Sequence, residues 1–481
     1  MTFERHYPAG TGGFDYNYEK SEVTTATMDG SMQGNNHIGG FDLDWNAAFA
    51  QSKTTNPFGY RMSFTEPSGG SYLSSKDHPE INIIPFANNN FQRAVLDSSQ
   101  YKRQENFDKE RTAFFNIARN VTLWDYLTNE LKVGGKIKQK ERWKDNYIFG
   151  WNNYRFFPYF ANPDGTPIDL STTRFAGSTS GPDLARFLDS SIHTRDLLGL
   201  YRMTPLISVD AFKQWADLTD HGIFPQSPPD YGVNGVALLG NYFVTERVYS
   251  GFVMNTLDIG QEATLIVGVR MEQESNDYFA KFSDQSTGGT GSMVLLTGKV
   301  VDTTSHYTET VWLPSAQLSV RPTDYLTVRV AAYRALARPD FNLRLPQFSF
   351  QETPGGTNLV AGNPSLKDSK AWNFEVNTQV HDNVLGLASL SAFYKRIDNL
   401  YHQANNVNIS WPSGGPNQAL GYKGWTTNDR SGAYHRLDDL LDQLNMSSWK
   451  NNTVFAKYLH YTSNTFNLFI AYNSPTPSYA W

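Results

Sequence analysis

The chain contains no cysteine, which removes disulfide frameworks and thiolate metal sites and permits an oxidising compartment without requiring one. No apolar run approaches the roughly 18 residues of a membrane helix. Basic residues are not in excess: 41 Lys and Arg face 47 Asp and Glu, a net charge of −6 and a pI near 5.9. That excludes the basic footprint of a nucleic-acid-binding surface. The opening residues, MTFERHYPAGTGG, lack the basic-then-apolar order of a secretory signal, so either a cytosolic protein or a natural start elsewhere is expected. Aromatic residues, by contrast, are plentiful (26 Tyr, 31 Phe, 11 Trp), while the charged fraction is 18% and mean hydropathy −0.49. Helical membrane spans are therefore excluded, but a membrane barrel is not, because its strands alternate apolar and polar residues. The aromatic load suits interfacial girdles, and it would also suit a carbohydrate-binding protein. At 481 residues, the chain has room for two or three ordinary domains or one very large one.

Period-two alternation recurs along the chain. Leu326, Val328, Val330, Ala332 and Arg334 alternate with Tyr325, Thr327, Arg329, Ala331 and Tyr333. Phe41, Leu43, Trp45, Ala47 and Phe49 alternate with polar residues, as do Ala263, Leu265, Val267, Val269 and Met271, and Trp372, Phe374, Val376, Thr378 and Val380. Each run reaches the nine to eleven or so residues a tilted strand needs to cross a bilayer. The connectors alternate in length. Short ones are predicted near 34–37, 120–129, 257–261, 321–324 and 381–386, and long ones near 53–100, 144–239, 282–306, 340–367 and 403–450. In an up-and-down meander this sorts short turns to one side and long loops to the other, as in outer-membrane barrels. The expected fold is an all-β, transmembrane, antiparallel up-and-down β-barrel (partial), whose long extracellular loops carry short helices. Within it residues 1–481 form one barrel region with a large extracellular insert at about 144–239. Helix-like stretches are predicted at 183–201 and 208–218 of that insert, the second capped by Ser208 with Ala211 at the third helical position.

The motifs resemble the barrel of TonB-dependent outer-membrane receptors. NYFVTERVYSGFVM (241–254) resembles a descending strand of that family, LIVGVRMEQ (265–273) the rising strand after it, and WLPSAQLSVRPTDYLTVRVAAYRALARPDF (312–341) its most recognisable hairpin. GNPSLK (362–367), WNFEV (372–376) and FYKRIDNLY (393–401) are similar to the family's segments downstream of that hairpin. The likeness is clear over 241–401, plausible over 14–143 and poor after about 403. It implies a bacterial outer-membrane location, lipid as surroundings, and import of a bulky nutrient (an iron-siderophore, a cobalamin or an oligosaccharide) energised by TonB through a plug domain. No plug or TonB box is recognisable, and about twelve to fourteen strands are countable where such barrels have about 22, so a gene fragment lacking the closing strands is expected. A passive porin and a secreted β-rich carbohydrate-binding protein are the alternatives.

No catalytic constellation is present, and an enzyme is not expected. The ten histidines are scattered without metal-ligand spacing, and neither a metal nor a cofactor is called for. The glycine-rich GTGG (10–13) and STGGTGS (286–292) do not join a strand to a helix. The row Lys132, Lys136, Lys138 and Lys140 reads either as an anion-attracting lumen wall or as a charge ladder against Asp108 and Glu110 on a neighbouring strand. Arg270, Glu272 and Arg329 are further lumen-facing charges. Trp151, Tyr154, Phe156, Phe157, Tyr159 and Phe160 open the longest loop and either stack on a ligand or form that loop's own core. Ala337-Arg338-Pro339 and Gly362-Asn363-Pro364 read as structural corners.

Overall fold

The computed structural model of the protein describes residues 2–6, 14–67, 90–152, 169–177, 182–191, 196–197, 201–202, 206–220, 235–283, 300–353, 356–382, 386–410, 426–427, 465–473 and 477–480. The strands in chain order are β1 Thr2–His6, β2 Phe14–Lys20, β3 Thr24–Ile38, β4 Phe41–Glu66, β5 Val95–Trp124, β6 Leu127–Asn152, β7 Asp196–Leu197, β8 Tyr201–Arg202, β9 Tyr242–Ile259 and β10 Ala263–Ser283. They continue as β11 Val300–Thr323, β12 Leu326–Ala337, β13 Phe348–Thr353, β14 Gly356–Ala361, β15 Ser369–Asp382, β16 Gly386–Asp398, β17 Tyr401–Ser410, β18 Thr426–Thr427, β19 Thr465–Asn473 and β20 Ser478–Ala480. Among the described residues three helices, α1 Val209–Asp220, α2 Gly235–Leu238 and α3 Phe341–Arg344, lie in connectors.

A 13-stranded antiparallel sheet runs β1-β2-β4-β5-β6-β9-β10-β11-β12-β15-β16-β20, with β3 beside β4. Its two ends are not hydrogen-bonded to each other among the described residues. Register shows why the alternation matters. Leu257, Leu265, Leu318, Val330 and Val376 stand side by side on neighbouring strands. The opposite face aligns Thr128, Asp258, Thr264, Ser319, Arg329, Asn377 and Ser391. The apolar face is bare: Val330 and Val376 are each more than 40% exposed, and Leu390 is 76% exposed. In water a band of that kind is an unpartnered hydrophobic patch; in lipid it is solvated. Aromatic residues flank it. Trp372, Phe374, Tyr394 and Tyr479 form a chain of ring contacts with centroids 6.2–6.3 Å apart at one rim, and Trp124 stacks on Tyr126 at the other. Arg334, on the apolar parity, reaches the Trp372 ring at 6.0 Å and donates to the Trp312 carbonyl, so its charge sits in the aromatic rim.

The short connectors of β3–β4, β5–β6, β9–β10, β11–β12 and β15–β16 fall at one end of the sheet. The first differs from the expected 34–37: β3 runs straight through those residues, and the chain reverses at Gly39-Gly40, with φ of 59° and 80°. Both central positions of such a two-residue turn need positive φ, which glycine adopts without steric cost. At the other end the strands outrun the expected loop borders. Residues 53–66 continue β4, and 144–152 continue β6. Among the described residues of the helix predicted over 183–201, the helical part is a single 3-10 turn, Leu184–Phe187, and Asp196–Leu197 of β7 pair with β8. The second prediction matches α1, and Ser208 Oγ accepts from the Ala211 amide.

Between Asn56 and Gly59 β4 carries a bulge, at the Asn56-Pro57-Phe58 step where proline cannot donate to the ladder. One inserted residue inverts the face of everything beyond it. Tyr60, Met62 and Phe64 are thereby turned with Tyr16 and Tyr18 of β2 toward Phe187, Phe212 and Trp215, and together they form a buried aromatic core above the long-loop end. Burying that core offsets the entropy of ordering the insert.

Candidate ligand site on the polar face

Between β12 and β15 the chain turns inward rather than outward. Asp340 caps α3 by accepting from the Asn342 amide, and Leu345 packs on Val244 and Tyr278 of the polar face. Arg344, 1% exposed, donates to Glu274 at 2.7 Å, to Asp368 at 2.6 Å and to the Leu366 carbonyl at 2.8 Å. Its guanidinium lies 3.9 Å from the Tyr307 ring centroid. Beside it Arg338 donates to Glu272 at 2.7 Å and Glu274 at 2.9 Å, and Lys370 pairs with Glu309. With Arg270 on Glu272, four bases meet four acids. A buried network of this sort is weak as a stabiliser against apolar packing. It does, however, fix the register between the connector and β10–β11, since any slip strands charges away from water. Burial, and then the neighbouring Glu274 carboxylate, push the Asp368 carboxyl up to about 7, while Arg344 and Arg338 partly offset the rise.

Gly362 and Asn363 form a structural corner at the far end of this strap. Asn363 is fully buried and donates to the Ala471 carbonyl, while its own oxygen receives the Ser365 amide. A Cβ at 362 would overlap the Leu345 carbonyl oxygen. Arg338, expected only as a corner residue, is one of the four cations of this latch. Arg344, Glu274 and Asp368 escaped sequence reasoning altogether. The available signal was an arginine set between leucines in FNLRLP, where an exposed loop would rarely place it.

Phe341 extends from α3 over the next strands. Its ring lies 5.3 Å from that of Tyr242 and 4.2 Å from the Arg142 guanidinium. Ser52, Thr54, Gln104 and Asn106 supply the opposite wall of a polar pocket of about 460 Å³, with Asp108 and Lys144 also lining it. The lysine row stands as a ladder beside this pocket: Lys138 meets Glu110 at 2.9 Å, Lys140 meets Asp108 at 3.2 Å, and Arg142 meets Asp108 at 3.1 Å and Glu246 at 3.2 Å. Lys132 approaches Asp44 at 4.0 Å, and Lys136 makes no ion pair among the described residues. Arg270 also donates to Ser250, and Arg329 to Gln379. All of these share the polar face, but only the upper end of the row reaches the pocket. Trp151 is the penultimate residue of β6, opposite Ser99; Tyr154, Phe156, Phe157, Tyr159 and Phe160 lie outside the described residues. Among the described residues no acidic or histidine group is arranged to hold a metal.

An up-and-down antiparallel sheet with a bare apolar face, aromatic rims and short turns at one end is an outer-membrane β-barrel wall, whose polar face lines the interior. The family model described as TonB dependent receptor-like, beta-barrel matches residues 7–481, well beyond position 403 where the likeness was expected to fade, and the chain belongs to that family. Members of the family are outer-membrane proteins. No curated protein matches the sequence. Similar solved structures include the hemophore receptor HasR of Serratia marcescens, at 11% identity and a TM-score of 0.35, covering 82% of this chain and 51% of that one. Others are the ferric-catecholate import receptor Fiu of E. coli (13%, 0.27, 82% and 58%) and the siderophore receptor PirA of Acinetobacter baumannii (11%, 0.27, 99% and 58%). This chain therefore spans 51–58% of the length of these structures.

Proposed function

We propose that the chain forms barrel wall and ligand-contacting lumen of a receptor for TonB-energised uptake of a bulky nutrient. The observation that carries this reading is the inward strap. A connector anchored by buried charges across the polar face gives that face a fixed surface, as recognition of a bulky cargo requires. Family membership supports the transport class, and two of the similar receptors are named for heme-hemophore and ferric-catecholate cargoes of their own. TonB, acting through a plug, is the proposed energy-coupling partner and outer-membrane lipid the surrounding solvent. The barrel region with its insert at about 144–239 is proposed as one unit. Trp151, Tyr154, Phe156, Phe157, Tyr159 and Phe160 are proposed to guide ligand in from the outside. Lys132, Lys136, Lys138, Arg270, Glu272 and Arg329 are proposed to keep the path below hydrated.

The test is uptake in the native host. Deleting the gene should abolish energised uptake of one nutrient, and deleting tonB should do the same. Uptake that persists without TonB and scales passively with concentration would instead establish a porin.

A further inference from the structure

The pocket under Phe341 has all but one of its charges paired and an unmet hydrogen-bonding demand, and the two together discriminate between ligand classes. The cations beside it are already committed: Lys138 to Glu110, Lys140 to Asp108, and Arg142 to Asp108, Glu246 and the Phe341 ring. Of the charged residues lining the pocket, Lys144 is the one without an ion pair among the described residues. A multiply anionic iron chelate would have to displace existing carboxylates to be held here. The unmet demand is for a donor. Asn106 Oδ1 is buried and has no hydrogen-bond partner, and buried polar atoms are nearly always paired. The broad χ2 well of asparagine lets this oxygen turn into the pocket. A hydroxyl hydrogen would satisfy it, but an iron-bound oxygen or a carboxylate carries none to give.

The remaining walls fit the same chemistry. Tyr242 and Phe341 are half-buried and line the pocket at a 60° tilt. Their negative ring faces attract the weakly positive C–H face of a pyranose. Across from them Ser52, Thr54 and Gln104 both donate and accept, as vicinal hydroxyls require. The volume of about 460 Å³ falls within the roughly 300–1,000 Å³ of small-molecule sites.

We infer that this pocket binds a sugar unit of an oligosaccharide, with its C–H face on Tyr242 and Phe341 and a hydroxyl donated to Asn106. The inference rests on the uptake-receptor reading above and names its cargo. It is tested with the receptor expressed from its native gene, in outer-membrane vesicles, by calorimetric titration with maltotetraose, cellotetraose, xylotetraose, chitotetraose, a tetragalacturonate, a ferric catecholate and cyanocobalamin. One of the sugars should bind. Phe341→Ala and Asn106→Ala should each weaken it about tenfold, and Asn106→Asp, which keeps the acceptor, should retain it. Lys144→Gln should matter only if the bound sugar is the uronate. Heat-modifiable migration of each variant shows that its barrel has folded. Binding of the chelate or corrinoid in place of every sugar overturns the inference, as does sugar binding indifferent to both alanine variants, or no sugar binding at all. Failure of the receptor reading looks different, since none of these probes would then be taken up in a TonB-dependent way.

Discussion

Replacing Arg344 by methionine isolates the latch. The side chain keeps most of its length and apolar stem but loses three charge-assisted hydrogen bonds, to Glu274, Asp368 and the Leu366 carbonyl. Glu274 and Asp368 are 2% and 1% exposed, so neither recovers water when the guanidinium goes. Breaking a buried pair by removing one partner costs about 3–5 kcal/mol. Much of that falls on the strap, because β10 stays in its ladder. At about 1.4 kcal/mol per decade, the strap should open some hundred- to several-thousand-fold more often. Hydrogen exchange reads this at the Gly362 and Asn363 amides, which are bonded to the Gln347 and Leu343 carbonyls. The β10–β11 ladder serves as the internal control. Adding Asp368→Asn should recover part of the loss by removing one stranded charge. Exchange at these two amides unchanged within threefold, in a folded barrel, would refute the claim that the ion network holds the strap.

Four further outcomes are expected. Because the Asp368 carboxyl is raised to about 7 from its ordinary 3.8, the folded strap binds this proton more tightly than the unfolded one. The Asp368 contribution to strap protection should therefore be greatest below about pH 4 and fall as pH rises through 7, read in exchange measurements as the difference between the unsubstituted chain and Asp368→Asn. Val267→Arg, on the bare apolar face, should destabilise the barrel by about 2–4 kcal/mol in urea titrations from lipid vesicles, whereas Thr264→Ser on the other face, which keeps the hydroxyl that donates to Asp258, should spare the apolar band. Gly362→Ala forces a Cβ onto the Leu345 carbonyl oxygen and should cost about 1–3 kcal/mol, seen as faster exchange of the strap with the sheet unaffected. An epitope tag at Ser190 should be reached by antibody on intact cells, and one at Asp324 only after the outer membrane is permeabilised; equal access would reverse the topology.

The strand faces and the sidedness of the connectors were legible in the sequence because both are local. A period of two places Leu265 and Val267 on one face whatever lies beside them, and a turn is short or long before any contact forms. The tertiary structure decided what depends on register and on distant partners. The Asn56–Gly59 bulge inverts β4, so that Tyr60 and Met62, which fall in a stretch expected as a long connector, enter the aromatic core. The lysine row could be a wall or a ladder until pairing set Lys138 opposite Thr112, within reach of Glu110. Arg344 reads as an ordinary loop cation until its partners arrive from 70 residues before it and 24 after it. The pocket is the extreme case, since Ser52, Asn106, Arg142, Tyr242 and Phe341 come from four strands and a strap. No periodicity encodes their meeting. Sequence pattern specifies which way a side chain points, and only the folded chain fixes what it points at, because desolvation and hydrogen bonding act between neighbours in space.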